Sequence, residues 1–331
     1  MRILGAALAA LLGCAGTAAT AADTVRICGL RFTSSGSWFI AMDKGYFKDE
    51  NIAVEPKFFD AAQPVAVAVS SGDCDIGVTG LTAGLYNLAG KGALKVVAGE
   101  AWEEPGFDFI GFIASNKAYE AGLRKVTDLP ERRFGVSQLG STFHYNVGML
   151  AAKYGWGDTA VKIVPLQSVA NMVAAVKSGQ VDAVALPSFI AAGLEKSGDA
   201  KVIGWVSDET LWQVSVAIAS AKMIDANRPV LERALKAYKR GTAEYNKAFD
   251  MRDAKGNRVF GEDAETLIPI LEKYTKASRQ QILDGAAFVD PGARFDAADI
   301  GRQLAWYQAH GFVDKDVTPD KVVDTSFVAA K

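Results

Sequence analysis

The chain is poor in the side chains that most often do metal and nucleophile chemistry. Among 331 residues there are 2 histidines and 3 cysteines, and neither a C-x-x-C nor an H-E-x-x-H occurs. A zinc site needs about four N, S or O ligands, so no metal and no cofactor is expected. A basic excess is also missing: 36 Lys and Arg stand against 38 Asp and Glu, for a net charge of −2. Nucleic-acid binding draws mostly on neutralised phosphates and is set aside. The catalytic signatures G-x-S-x-G, G-x-x-x-x-G-K and G-x-G-x-x-G are absent as well. After the N-terminus no apolar run approaches the ~20 residues of a membrane helix. No stretch rich in Pro, Gly or Ser marks a linker.

What is present is ordinary globular material, 50% hydrophobic and 22% charged, in a chain longer than the roughly 250–300 residues at which single cores stop growing. Two domains are expected. Met1-Arg2, the uncharged apolar run from Ile3 to Gly16, and the small residues Ala19-Thr20-Ala21 before Asp23 read as a cleaved secretory signal peptide over residues 1–21. Leu11-Leu12-Gly13-Cys14 also resembles a lipoprotein box, but the bulky Leu12 and the intact Ala-x-Ala site favour simple cleavage. Export to the periplasm follows, and that compartment is oxidising. Cys28 and Cys74 remain after cleavage, each at or beside a predicted strand. They form either a disulfide, if those strands are neighbours, or a pair of buried thiols.

Strands and helices alternate along the chain. Strands are predicted at 25–29, 54–59, 76–79 and 94–98, with helices at 38–44, 64–70 and 81–88 between them. The pattern restarts with strands at 109–114, 133–136, 161–164, 183–186 and 201–205 and helices at 142–153, 169–177 and 189–195. A last strand at 214–219 leads into four amphipathic helices, from Pro229 to Phe249 and from near Ala264, Ser278 and Asp296. Short connections between alternating elements predict an α/β fold of two lobes, each a mainly parallel sheet flanked by helices. Two crossover strands, near 108–114 and 206–215, join them. Lobe I takes residues 22–110 and 214–331, and lobe II residues 111–213.

Open α/β sheets bind ligands beyond the carboxyl ends of their strands, where helices begin. Three strand-to-helix junctions carry suitable chemistry: Thr33, Ser34, Ser35 and Ser37; Thr79-Gly80-Leu81-Thr82; and Ser137-Gln138-Leu139-Gly140-Ser141-Thr142. Each offers hydroxyls, free N–H groups and the positive end of a helix dipole, which together hold an anion without a formal cation. Ordinary N-capping explains each one singly. Arg31 is either a bidentate partner for an acid group or a surface ion pair. Trp38, Trp102, Phe107, Phe143 and Trp212 lie near strand ends and either wall a pocket or pack the core. His144 either orients a ligand or serves as an acid/base, but no nucleophile accompanies it, and that favours a structural or hydrogen-bonding role. Glu100, Glu103 and Glu104 flank Trp102 as contacts for a ligand ammonium group or as a solvated hinge.

Several segments resemble a known family. Asp43-Lys44-Gly45-Tyr46-Phe47 followed by Asn51-Ile52-Ala53-Val54 is similar to the opening of ABC-transporter periplasmic binding proteins of the nitrate/sulfonate/taurine type. Their superfamily includes the binders of thiamine-pyrimidine precursors. Ser71-Gly72-Asp73-Cys74-Asp75-Ile76-Gly77 matches that family's SGDxDIG, and Gly140-Ser141-Thr142-Phe143-His144-Tyr145 is similar to its GSTxHY. Gly179-Gln180-Val181-Asp182-Ala183 matches its GxxDA turn. The resemblance implies a type II periplasmic binding protein that closes on its ligand by hinge motion. It also implies delivery of the ligand to the permease and ATPase subunits of an importer. Thr79, Gly80, Leu81, Thr82, Ser141, Thr142 and His144 take the positions that contact an anionic group in the family. Leu186 stands before Pro187 where taurine binders carry Trp, which argues against taurine itself, and the cysteine-rich motif of the thiamine-pyrimidine synthases is absent. The expectation is a monomeric, non-enzymatic receptor for a small organic anion, a sulfonate or a carboxylate. Arg31, Ser34, Ser35, Trp38, Trp102, Gln138, Pro187 and Trp212 complete its predicted pocket. The alternatives are a receptor for a pyrimidine held between Trp rings, and an enzyme on the same fold using His144.

Overall fold

The computed structural model describes residues 21–331. The expected signal peptide, apart from Ala21, and Cys14 lie outside the described residues. The first strands are β1 (Asp23–Gly29), β2 (Ile52–Phe58), β3 (Ile76–Gly80) and β4 (Leu94–Gly99). After a two-residue β5 (Ala101–Trp102) come β6 (Ile110–Ser115), β7 (Arg133–Val136), β8 (Lys162–Pro165), β9 (Ala183–Pro187) and β10 (Ala200–Trp205), and then β11 (Ser215–Ser220). They build two five-stranded sheets, in the orders β2-β1-β3-β11-β4 and β10-β6-β9-β7-β8.

Each sheet has one antiparallel member. In the first it is β11, which opposes both β3 and β4; in the second it is β6, which opposes β9 and β10. These are the strands that begin just after the chain has passed from one sheet to the other. A chain that leaves one sheet at the carboxyl ends of its strands enters the next from the same side, so its first strand there runs away from the gap. The mixed but mainly parallel α/β architecture follows from those two passages.

The central strands β3, β6, β9 and β11 are buried along their whole length, as expected of strands covered by helices on both faces. β2 is an edge strand exposed over most of its length, and it tolerates Pro56 because one side needs no ladder donor. β1 pairs with β3, with Cys28 opposite Gly77. That register brings Cys74, just ahead of β3, to Cys28, and the two form a disulfide with a Cα–Cα distance of 6.0 Å.

Most element boundaries fall within a few residues of the sequence-based expectation, and the exceptions lie at the junctions. The junction ahead of the helix expected at 38–44 is a 3-10 turn, Thr33–Ser35, running into a helix at Gly36–Asp43. The helix expected from Leu81 starts at Ala83, because Thr82 is extended and its hydroxyl accepts from the Leu85 N–H at 3.2 Å. The helix Ala221–Ala226 and the hairpin of Met251–Arg252 with Arg258–Val259 have no counterpart in the sequence reading. The C-terminal helices Arg228–Phe249, Ala264–Thr275, Arg279–Gly285 and Ala297–Ala309 lie where the amphipathic pattern places them. No helix among the described residues is long and apolar enough to cross a membrane.

Candidate functional site

The carboxyl ends of the strands in the two sheets converge on one narrow cavity. Its atom-free space, counted out to the mouth, is about 560 Å³, of which about 40 Å³ takes the centre of a water-sized body. All three hydroxyl-bearing junctions reach it: Ser34 and Ser35 from the first, Thr79 and Gly80 from the end of β3, and Ser137 and Thr142 from the loop after β7. Pro187 at the end of β9 and Phe143 also line it.

The two halves touch at this point. The Ala83 N–H donates to the Gly140 carbonyl at 2.8 Å. The Tyr307 hydroxyl, on the helix Ala297–Ala309, lies 3.0 Å from the Leu81 carbonyl and 3.3 Å from that of Ser141, so one donor serves both halves. A side chain at position 80 would put its Cβ 2.7 Å from the Thr142 methyl, so only glycine allows the approach. Gly140, with φ of 72°, turns the second loop toward Ala83 in the left-handed region.

Five α-helices begin at the cavity, and three of them lack a side-chain cap, one being Ser188–Lys196 with Pro187 at its cap position. Thr142 and Val169 open helices whose caps, Ser141 and Ser168, accept hydrogen bonds from His144 N and Asn171 N. The helix Ala62–Ser71 has Ala61 at its cap position with no capping side chain, and Ser35 makes no cap bond for the helix Gly36–Asp43. Ala61, Ala62 and Ser35 all face the cavity. Uncapped N–H groups at a helix start are ready donors for an anion. A reading that searched for Ser and Thr at junctions passes over Ala61-Ala62, because an alanine cap shows itself only by the bond it fails to make.

Among the described residues no Lys, Arg or His lines the cavity, and its one ionisable carboxyl is Glu100. Glu100 is 2% exposed, and burial raises its pKa to about 7 against hydrogen bonds from Ser215 and Ser35 that lower it. Its two acidic neighbours do other work. Buried Glu103 accepts from the N–H groups of Ile110 and Phe109, at 2.8 and 3.3 Å, and so fixes the start of β6. Glu104 pairs with Arg252 at 3.5 Å.

The remaining predicted site residues lie elsewhere. Arg31 stands outside the cavity in a depression that shares Leu30, Phe32 and Val169 with it; its guanidinium covers the Phe58 ring at 4.0 Å and donates to the Tyr274 carbonyl. Trp38 is core, stacked on Tyr238 at 4.2 Å. Trp102 is paired opposite Phe288 beneath the Lys331 ammonium. Trp212 is fully buried beside Tyr145. Leu81 is core and Thr82 a helix cap. Ser141 is also a cap, and the Gln138 carbonyl accepts from its N–H at 3.1 Å. His144 packs between Trp306 and Phe312, accepts from Gly140 N through Nδ1, and is lowered to about 4 by burial and by His310. In each case large rings or cap bonds have claimed the side chain for packing. Among the described residues no three of His, Cys, Asp and Glu cluster as metal ligands.

Residues 33–248 match the family described as NMT1/THI5 like. No curated protein matches the chain at the level of sequence. Among solved structures, it is similar to the alkanesulfonate-binding protein SsuA of Xanthomonas axonopodis pv. citri bound to MOPS, with a TM-score of 0.73 and 19% identity over 91% of this chain and 98% of that one. The periplasmic nitrate-binding protein NrtA of Synechocystis PCC 6803 gives a TM-score of 0.72 at 12% identity, covering 92% and 87%. The ligand-binding component of an ABC-type import system from Staphylococcus aureus, with zinc bound, gives 0.70 at 18%, covering 92% and 97%. With an overall fold similar to these structures and a family match over most of its length, the chain belongs to the NMT1/THI5-like family and has the fold of the periplasmic binding proteins of the nitrate and sulfonate type.

Proposed function

We propose that the protein is the solute-binding component of an ABC importer, and that it captures a small organic acid in the cavity between its two sheets. The observation that carries this reading is the helix Ala62–Ser71, which opens into the cavity with no side chain on its first N–H groups. A carboxylate or sulfonate oxygen supplies the missing cap. Ser34, Ser35, Thr79, Gly80, Thr142 and Pro187 are proposed to contact the solute, with Phe143 against its apolar part. Lobe I is taken as residues 22–110 and 214–331 and lobe II as residues 111–213, closing by hinge motion. The working form is a monomer in the periplasm, released by cleavage of residues 1–21, that docks on a permease with its ATPase.

Binding without turnover is favoured because His144, the acid/base of the alternative enzyme reading, has its Nδ1 engaged by Gly140 and does not line the cavity. A pyrimidine held between Trp rings is disfavoured because Trp38, Trp102 and Trp212 are all packed elsewhere. Thermal unfolding against a panel of sulfonates, carboxylates, nitrate and formylaminopyrimidine tests the reading. A solute at 1,000 times its Kd adds about 4 kcal/mol, which moves Tm by roughly 8–16 °C for a chain of this size. A shift confined to organic acids supports the proposal; a response to the pyrimidine alone, or a solute that is consumed, overturns it.

A further inference from the structure

The cavity contains an acid with nothing to neutralise it. Glu100 follows β4 directly, and the nearby hydroxyls of Ser35 and Ser215 favour the ionised form of its carboxyl. Both serines line the same cavity. One oxygen, Oε1, is buried and has no hydrogen-bond partner. The titratable groups that sense Glu100 are Tyr238 and Tyr245 of the helix Arg228–Phe249, and burial holds both phenols far above their ordinary range and therefore neutral. Among the described residues no Lys, Arg or His lines the cavity with Glu100. A buried carboxylate without a partner is strongly unfavourable. Glu100 lines the cavity with one carboxyl oxygen unpartnered, which is the arrangement a ligand donor satisfies.

We propose that Glu100 docks a cationic nitrogen of the solute on Oε1, so that the solute is an amine-bearing small organic acid. Its acid group faces the uncapped helix start at Ala62. This rests on the reading of the cavity as the solute site and narrows the solute class. A purely anionic solute meets repulsion from ionised Glu100, whereas a zwitterion satisfies the helix start and the carboxyl together.

Matched probes test it: taurine with ethanesulfonate, β-alanine with propionate, and 4-(aminomethyl)benzoate with 4-methylbenzoate, titrated calorimetrically at about pH 5.5 and about pH 8.5. Because the group titrates near 7, ionising it across that range tightens an amine-bearing probe by up to roughly 30-fold and weakens its amine-free partner. His144, already neutral above about pH 5, does not contribute to the profile. In E100Q the amine-bearing probe loses roughly 10- to 100-fold, the value of one charge-assisted hydrogen bond, and the pH dependence flattens. Should E100Q not fold, the wild-type pH profile decides alone. Equal binding of both members of a pair at both pH values overturns the role of Glu100 and leaves the cavity as an acid site. Binding of formylaminopyrimidine alone overturns the acid class as well, and silence from every probe overturns the cavity reading itself.

Discussion

At the scale of the residue, Glu100 is the position where fold stability and solute recognition oppose each other. Its carboxyl is raised from 4.5 to about 7, so the folded chain holds that proton more tightly than the unfolded one. The sign follows: stability is intact below about pH 4.5 and falls as the pH climbs through 7. For this fully buried group the ceiling is about 3 kcal/mol. We expect E100Q and wild type to be nearly equal in urea unfolding near pH 4.5, with the variant ahead by up to that amount above pH 7. A difference that stays constant with pH would show that Glu100 titrates like an exposed carboxylate. The sequence offered Glu100, Glu103 and Glu104 as equals; only burial and partners separate a cavity wall, a backbone anchor and a surface ion pair.

At the scale of the element, the pairing of β1 with β3 turns two distant cysteines into a staple. Cys28 and Cys74 are 46 residues apart, and the chain-entropy model assigns closure of such a loop about 4 kcal/mol. The paired replacement C28A/C74A is expected to lower the unfolding free energy by up to that amount, and reducing agent is expected to do the same to wild type while leaving the variant unaffected. Equal midpoints for oxidised wild type and variant would show that the staple contributes nothing. The periodicity that located strands 25–29 and 76–79 could not decide this, because the bond depends on which strands are neighbours in the sheet. Helix starts were legible in the same partial way. Ser141 and Thr82 announce caps by residue type and turn out to be satisfied ones, while the uncapped start at Ala61 carries no hydroxyl to announce it.

At the scale of the whole molecule, Tyr307 stands out because its single hydroxyl meets carbonyls from both halves. Removing it in Y307F leaves Leu81 O and Ser141 O short of a donor, at a cost of about 1 kcal/mol, or roughly fivefold in solute affinity. The unliganded variant is expected to show a larger radius of gyration in X-ray scattering, with a normal value restored by saturating solute. An unchanged radius together with unchanged affinity would mean that the contact does not bias closure. Tyr307 was invisible in the sequence reading, which placed an amphipathic helix from near Asp296 and singled out no tyrosine in it.

The sequence by itself determined the α/β class, the approximate place of each main strand and helix, and the three hydroxyl-bearing junctions. These depend on local periodicity and turn chemistry, which act over a few residues. Tertiary structure decided which junction residues meet. It sent Trp38, Trp102 and Trp212 into packing, turned Arg31 onto Phe58, and placed His144 among aromatic rings. It also left Glu100 and an uncapped helix facing one cavity. The physical reason is that burial and partner choice are set by contacts between segments far apart in the chain, 243 residues for Arg31 and Tyr274, and no local pattern encodes them.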